Sequence, residues 1–168
     1  MTRHSKVLFS LFTFAALSLA AAVSARADVV ILTGNIPQID QNVLLNSGLS
    51  GNSIFGLTNQ TRLSVRFSSN ENIFSPANGQ ARIEALDGSF TTLTVDLNGG
   101  SFTSLILNLD ASVNGTVNFV VNEVGGQVNN FNNLAVDGNG QNFFTIVASN
   151  NQRILSVTFS AATPMTLS

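Results

Sequence analysis

Apolar residues alternate with polar ones in many short runs along this chain. In residues 63–67 (LSVRF), three apolar residues alternate with Ser64 and Arg66, and residues 155–160 (LSVTFS) repeat the pattern. Successive side chains of a strand point to opposite faces, so this alternation predicts strands with one buried face. Clusters of Asn, Asp and Gly separate the runs, and no segment has the 3.6-residue period of a helix. The pattern predicts an all-β fold, an antiparallel, jelly-roll-like β-sandwich of about 8–10 strands.

The longest alternating or β-branched runs give the positions of the strands. They predict strands at residues 29–33, 63–68, 80–86, 90–97, 102–110, 116–124, 143–149 and 153–160. Shorter strands are expected at 43–45 and 54–57, in the less regular segment 34–60. Residues 125–141 are rich in Gly and Asn, and they predict a long loop with one short strand at 134–136.

Turn residues suggest how these strands pair. A three-residue loop with Gly88 in the left-handed conformation places the apolar residues of the strands before and after it on one face, which a two-residue loop would not do. A left-handed Gly100 does the same at the next turn. We therefore expect residues 80–124 to form a four-stranded antiparallel meander. Asn150 and Asn151 are expected to make a hairpin between the last two strands.

Residues 1–27 have the pattern of a secretory signal peptide. A short basic segment precedes an apolar run, residues 7–22, which is shorter than the ~20 residues that a membrane-spanning helix needs. Ala25 and Ala27 then supply the small residues of a cleavage site. We expect a secreted, extracytoplasmic protein whose mature part is a single β-sandwich domain, residues 28–168, without a membrane span.

The predicted mature domain lacks most of the side chains that catalyse reactions. The whole chain has no Cys, Tyr or Trp, and His4 and Lys6 leave with the signal peptide. Ser-His-Asp catalysis needs His, zinc sites usually need His or Cys, and acid–base catalysis near neutral pH usually uses one of the missing types. We therefore expect no enzyme activity and no resident cofactor. Four Arg and nine acidic residues give a net charge of −5, which argues against nucleic-acid binding.

One loop has the spacing of a calcium site. Asp137, Asn139 and Gln141 place side-chain oxygens at loop positions one, three and five, as in loops that enclose a single Ca²⁺. The bidentate Glu of such loops at position twelve is missing, because that residue is Ala148. The alternative is a glycine-rich turn in which Asn and Asp tolerate unusual backbone angles. The missing Glu favours the turn, and the three residues stay candidate calcium ligands.

The C-terminal third of the chain carries a family resemblance. Residues 137–146 read DGNGQNFFTI and residues 152–159 read QRILSVTF. Together with the signal peptide, these segments resemble the β-sandwich ectodomains of bacterial PEP-CTERM sorting-signal proteins, in which a comparable hairpin precedes a final strand. The resemblance implies export and association with the cell surface or an exopolysaccharide matrix, and it brings no catalytic residues. The sequence ends at Ser168 without that family's sorting motif, so the resemblance implies a truncated or variant member whose domain is incomplete at its C-terminus.

Three kinds of function fit these observations. The leading interpretation is an exported, non-catalytic structural or interaction domain of the bacterial cell surface or extracellular matrix, with exopolysaccharide or other surface proteins as partners. The alternative is a calcium-assisted carbohydrate-binding jelly-roll module, although Trp and Tyr, which usually stack on sugars, are absent. A glycosidase that uses carboxylates alone comes third, because a domain of this size leaves little room for a catalytic cleft.

The last predicted strand, residues 153–160, suggests self-association. Pro164 follows it closely and cannot donate a ladder hydrogen bond, and one more strand follows in the proteins that the chain resembles. We expect residues 153–160 to form an exposed sheet edge, which would pair with another copy of the chain. A native chain longer by roughly ten to fifteen residues, about one strand and a turn, should suppress that association.

Overall fold

The computed structural model describes residues 29–165, and these residues form two antiparallel β-sheets packed as a sandwich. The predicted all-β, antiparallel sandwich is confirmed. The described part of the chain has twelve strands: β1 Val29–Thr33, β2 Val43–Leu45, β3 Ser50–Thr58, β4 Ser64–Phe74, β5 Gly79–Gln80, β6 Glu84–Ala85, β7 Phe90–Leu97, β8 Ser104–Ala111, β9 Gly115–Glu123, β10 Val128–Val136, β11 Gly140–Ala148 and β12 Ile154–Met165. The predicted signal peptide lies outside the described residues.

The two sheets differ greatly in width. A three-stranded sheet has the order β1-β11-β8, and a nine-stranded sheet has the order β10-β9-β12-β7-β4-β3-β2-β5, with β6 paired to β4. β1, β2 and β7 have the bounds that the sequence predicts. The alternation of residues 90–97 located β7, whereas β1 and β2 are short runs of apolar residues.

Aromatic residues from both sheets meet in the core. Phe119 of β9 pairs with Phe159 of β12 in the wide sheet, and Phe144 of β11 faces them from the narrow sheet. The ring centroid of Phe119 lies 5.1 Å from that of Phe144 and 6.2 Å from that of Phe159, separations at which aromatic pairs attract each other. All three side chains are fully buried. This cluster packs the narrow sheet against β9 and β12.

The predicted meander of residues 80–124 is wrong. β7 pairs with β4 and β12, β8 pairs with β11, and β9 pairs with β10 and β12, so β7 and β8 lie in different sheets. Gly88 has the predicted left-handed φ of 87°, but at the next turn Gly99, with φ of 80°, takes the place expected for Gly100. Alternation determines which face of a strand is buried. The same face is buried whether two successive strands form a hairpin or lie in different sheets, so alternation does not determine how the strands pair.

The last two strands do not form the predicted hairpin. Asn150 and Asn151 have positive φ values of 49° and 63°, as in a tight turn, but β11 belongs to the narrow sheet and β12 to the wide one. β12 pairs with β7 on one side and with β9 on the other. The prediction that residues 153–160 form an exposed edge is therefore wrong, because two neighbouring strands occupy both of its sides.

The predicted long loop, residues 125–141, is largely a strand. Val128–Val136 is β10, which pairs with β9 and forms an edge of the wide sheet. Its ladder is interrupted between Phe131 and Leu134, and Asn133 there has a φ of 59°. Asn and Gly are depleted in strands, so composition favoured a loop, and pairing with the regular strand β9 overrides that preference.

Candidate functional site

A cleft lies between β8 and the part of the wide sheet that the narrow sheet does not cover. It has a volume of about 880 Å³. We call it the β8 cleft, and its apolar lining comes from both sheets: Val65, Phe67, Val95, Leu97, Leu105, Leu107 and Leu109. The first four belong to β4 and β7 and the last three to β8. The volume is within the range typical of ligand-binding clefts.

Two connecting segments border the β8 cleft. Residues 35–42 lead from β1 in the narrow sheet to β2 in the wide sheet and reach β8 at one end, where the Ser104 hydroxyl donates to Asp40 at 2.8 Å. Residues 80–83 line the cleft next to β2, since the Ala81 amide donates to the Val43 carbonyl at 2.7 Å. The cleft is therefore a narrow groove beside β8. The part of the groove that these two segments do not close runs from Ser104 towards the end of β8.

The side of β8 that faces the cleft carries unpaired backbone groups. The Ala148 amide donates to the Thr103 carbonyl at 2.8 Å, and an antiparallel ladder repeats such a bonded pair at every second residue. The register of β8 on β11 then turns the backbone groups of the odd-numbered residues towards β11. Those of Ser104, Ile106 and Asn108 turn the opposite way, where the described strands provide no partner.

The other sheet edges are shorter or interrupted. β10 carries a break in its ladder, β5 has two residues, and β1 has five residues before Gly34. β8 has eight residues paired to β11 without a register shift, and it contains no Pro, Gly or Lys. Natural proteins usually guard exposed edges with such residues or with bulges. β8 is thus the longest uninterrupted sheet edge in residues 29–165, and Asp110 is the one charged residue within it.

Two ion pairs lie at the β8 cleft, and other charged residues of its lining are held by serine side chains. Arg66 forms an ion pair with Asp96 at 3.0 Å, and Arg82 forms one with Glu84 at 2.9 Å. The Arg153 guanidinium donates from Nε to the Ser101 hydroxyl at 2.7 Å. The side-chain oxygen of Asn108 is buried without a hydrogen-bond partner among the described residues. The cleft is consequently suited to a mostly apolar ligand that can also donate hydrogen bonds.

The candidate calcium loop is organised by a residue that the sequence did not single out. Asn142 is buried, and its Nδ2 donates to the carbonyls of Leu109, Asp137 and Gly140 at 2.9, 3.0 and 3.1 Å. Its Oδ1 accepts from the Asp137 amide at 2.8 Å. These bonds close the turn through one protein side chain.

Of the three candidate ligands, Asp137 and Asn139 lie on this turn and Gln141 lies at the start of β11, and all three side chains are exposed. Gly138 between them packs tightly, because an added Cβ would lie 2.3 Å from the carbonyl carbon of Val113. Glycine at this position therefore serves close packing, and the spacing of Asp137 and Asn139 follows from a turn built around it. In residues 29–165, no group of three or more His, Cys, Asp or Glu side chains could hold a metal ion.

The sequence predicted a strand at 102–110, but it did not predict that this strand forms an edge of its sheet. The outward backbone groups of Ile106 and Asn108 become a candidate site only because β7 pairs elsewhere.

Within the described part of the chain, no helix is long and apolar enough to cross a membrane. Comparisons of the chain with protein-family models, with curated proteins and with solved structures found no match.

Proposed function

We propose that residues 28–168 form an exported, non-catalytic interaction domain of the bacterial cell surface or extracellular matrix. The observation that supports this proposal most strongly is the combination of β8, a long uninterrupted sheet edge, with an apolar cleft of about 880 Å³ beside it. Exposed edges and apolar clefts are both features that bind other chains.

The sequence supports the rest of the proposal. Residues 1–27 have the pattern of a signal peptide, which argues for export. The absence of His, Lys, Cys, Tyr and Trp after residue 27 argues against catalysis. The resemblance of residues 137–146 and 152–159 to PEP-CTERM ectodomains points to the cell surface or an exopolysaccharide matrix.

Cell fractionation tests the location. The full chain would be expressed in a bacterial host, and a variant with Leu11→Arg and Leu17→Arg in the apolar run would serve as the matched control. We expect the parent protein in the surface or matrix fraction with Asp28 as its N-terminus by mass spectrometry, and the control in the cytoplasm. A parent protein that stays in the cytoplasm with residues 1–27 attached would refute the proposal.

Activity assays test the non-catalytic part. The exported protein should give no saturable turnover of esters, peptides or glycosides, because it lacks the usual acid–base and nucleophilic side chains. Turnover that survives repurification and disappears when one carboxylate is replaced by its amide would instead support the glycosidase interpretation.

A further inference from the structure

Building on the proposed interaction function, we infer that the β8 cleft binds an extended segment of a separate partner chain. The segment pairs with the free side of β8 as a fourth strand of the narrow sheet. It carries apolar residues at alternating positions. This inference names the class of partner that the interaction domain takes.

Backbone hydrogen bonds favour a strand over other ligands. Ile106 and Asn108 each direct one N–H and one C=O to the side of β8 that the described strands leave unpaired. An added strand satisfies all four groups at the spacing that an antiparallel or parallel ladder requires. A compact organic ligand would match that spacing less well, because its donors and acceptors do not repeat along the strand direction.

The size of the cleft limits the length of the segment. Neighbouring strands lie about 4.8 Å apart, packed sheets about 10 Å apart, and each residue advances about 3.3 Å, so one residue of a packed strand takes up about 160 Å³. A cleft of about 880 Å³ is therefore large enough for a segment of several residues. The part of β8 beyond the end where Asp40 holds Ser104, from Ile106 to Ala111, is also several residues long.

The lining of the cleft sets the sequence of the segment. On the inner face of an added strand, side chains would lie next to Leu105 and Leu107 of β8, which are only partly buried. These positions favour Val, Ile, Leu or Phe at every second residue.

The width of the wide sheet excludes a folded second copy as the occupant. Strands β4, β3, β2 and β5 continue the wide sheet beyond β7, and residues 80–83 line the far side of the cleft. If β8 of one copy paired with β8 of another, the two wide sheets would overlap on the same side of the joined narrow sheets. A single extended segment, which has no sheet attached to it, avoids that collision.

The test uses a defined peptide and proline substitutions. The probe is a fluorescent seven-residue peptide that alternates Val and Thr and has a soluble Gly-Ser-Arg tail, and the control peptide has the same composition with its Val residues grouped. Binding to the exported protein is measured by fluorescence anisotropy. Ile106→Pro removes an N–H on the free side of β8, where proline is tolerated, without removing a bond to β11. Thr33→Pro at the free side of β1 is the matched control.

We expect Ile106→Pro to weaken binding of the alternating peptide at least tenfold, Thr33→Pro to leave it unchanged, and the grouped peptide to bind at least tenfold more weakly. Amide hydrogen exchange on the parent protein provides a readout that needs no variant. The peptide should slow exchange at Ile106 and Asn108 at least tenfold, while Leu107, already bonded to β11, changes little.

Several results would overturn the inference. Equal binding of both peptides, binding that Ile106→Pro leaves intact, or unchanged exchange at Ile106 and Asn108 would each show that β8 is not the binding edge. A dimer that Ile106→Pro dissociates in sedimentation would assign the edge to a second copy. If the protein is still exported to the surface, such results refute the inference about β8 and not the proposed function. Retention of the protein in the cytoplasm refutes the proposed function and not the inference about β8.

Discussion

The two halves of the wide sheet bury their apolar faces by different means. In one half, Val117, Phe119 and Val121 of β9 are fully buried, and Phe119 packs on Phe144 of the narrow sheet. In the other half, Phe67 of β4 is nearly as well buried. There, however, no fourth strand of the narrow sheet lies above it, and β8 borders a cleft instead.

Because of this difference, one half of the wide sheet contributes mainly to stability, and the other half borders the surface that we propose for binding. The covered half holds the two sheets together through closely packed rings, whereas Leu105 and Leu107 at the border of the open half are only partly buried. Apolar side chains that remain partly exposed contribute less to folding and keep surface for a ligand. Substitutions in the two halves should therefore have clearly different effects on stability.

The largest loss of stability is expected in the covered half. Phe119→Ala should lower the free energy of unfolding by about 3–5 kcal/mol, because it leaves a cavity between Phe144 and Phe159. Phe55→Ala is the control, since that side chain is 49% exposed, and its cost should stay below about 1 kcal/mol. Urea unfolding measures both values. Equal losses would show that the aromatic cluster does not hold the sheets together.

A loss of intermediate size is expected at the turn before β11, the central strand of the narrow sheet. Asn142→Ala should cost about 2–3 kcal/mol, because it removes the four hydrogen bonds of a buried side chain and leaves the amide of Asp137 without its partner. Asp137→Ala should change stability by no more than about 0.5 kcal/mol. The midpoints of urea unfolding compare the two, and the opposite order would contradict the role of Asn142.

A smaller loss is expected beside the cleft. Leu107→Ala should cost about 1–2 kcal/mol, less than Phe119→Ala, because Leu107 is partly exposed and its removal enlarges an open cleft rather than creating a closed cavity. The same urea titration provides the measurement. A cost of about 4 kcal/mol or more would mean that the open half is packed as tightly as the covered half.

The smallest effect is expected from calcium at the loop of Asp137, Asn139 and Gln141. Asn142 already closes this turn, so 5 mM Ca²⁺ should raise the melting temperature by less than about 1 °C. Differential scanning calorimetry with calcium and with chelator decides the question. A rise of several degrees that Asp137→Ala abolishes would instead favour the calcium-assisted carbohydrate-binding module.

Much of the local structure could be predicted from the pattern of residues alone. The bounds of β1, β2 and β7 match the predicted bounds, and Gly88 takes its predicted left-handed conformation. Each of these depends on neighbours in sequence, namely the side-chain period of a strand and the freedom of glycine at positive φ.

Strand pairing was decided only by the tertiary structure. The alternation in residues 90–97 and 102–110 is satisfied whether β7 and β8 form a hairpin or lie in facing sheets, because both arrangements bury the same side chains. The strand β10 and the central place of β12 depend on pairing with β9, far away in sequence for β12. A strand forms an edge when no strand pairs with one of its sides. The free side of β8 and its cleft could therefore be recognised only once the pairing of all the other strands was known.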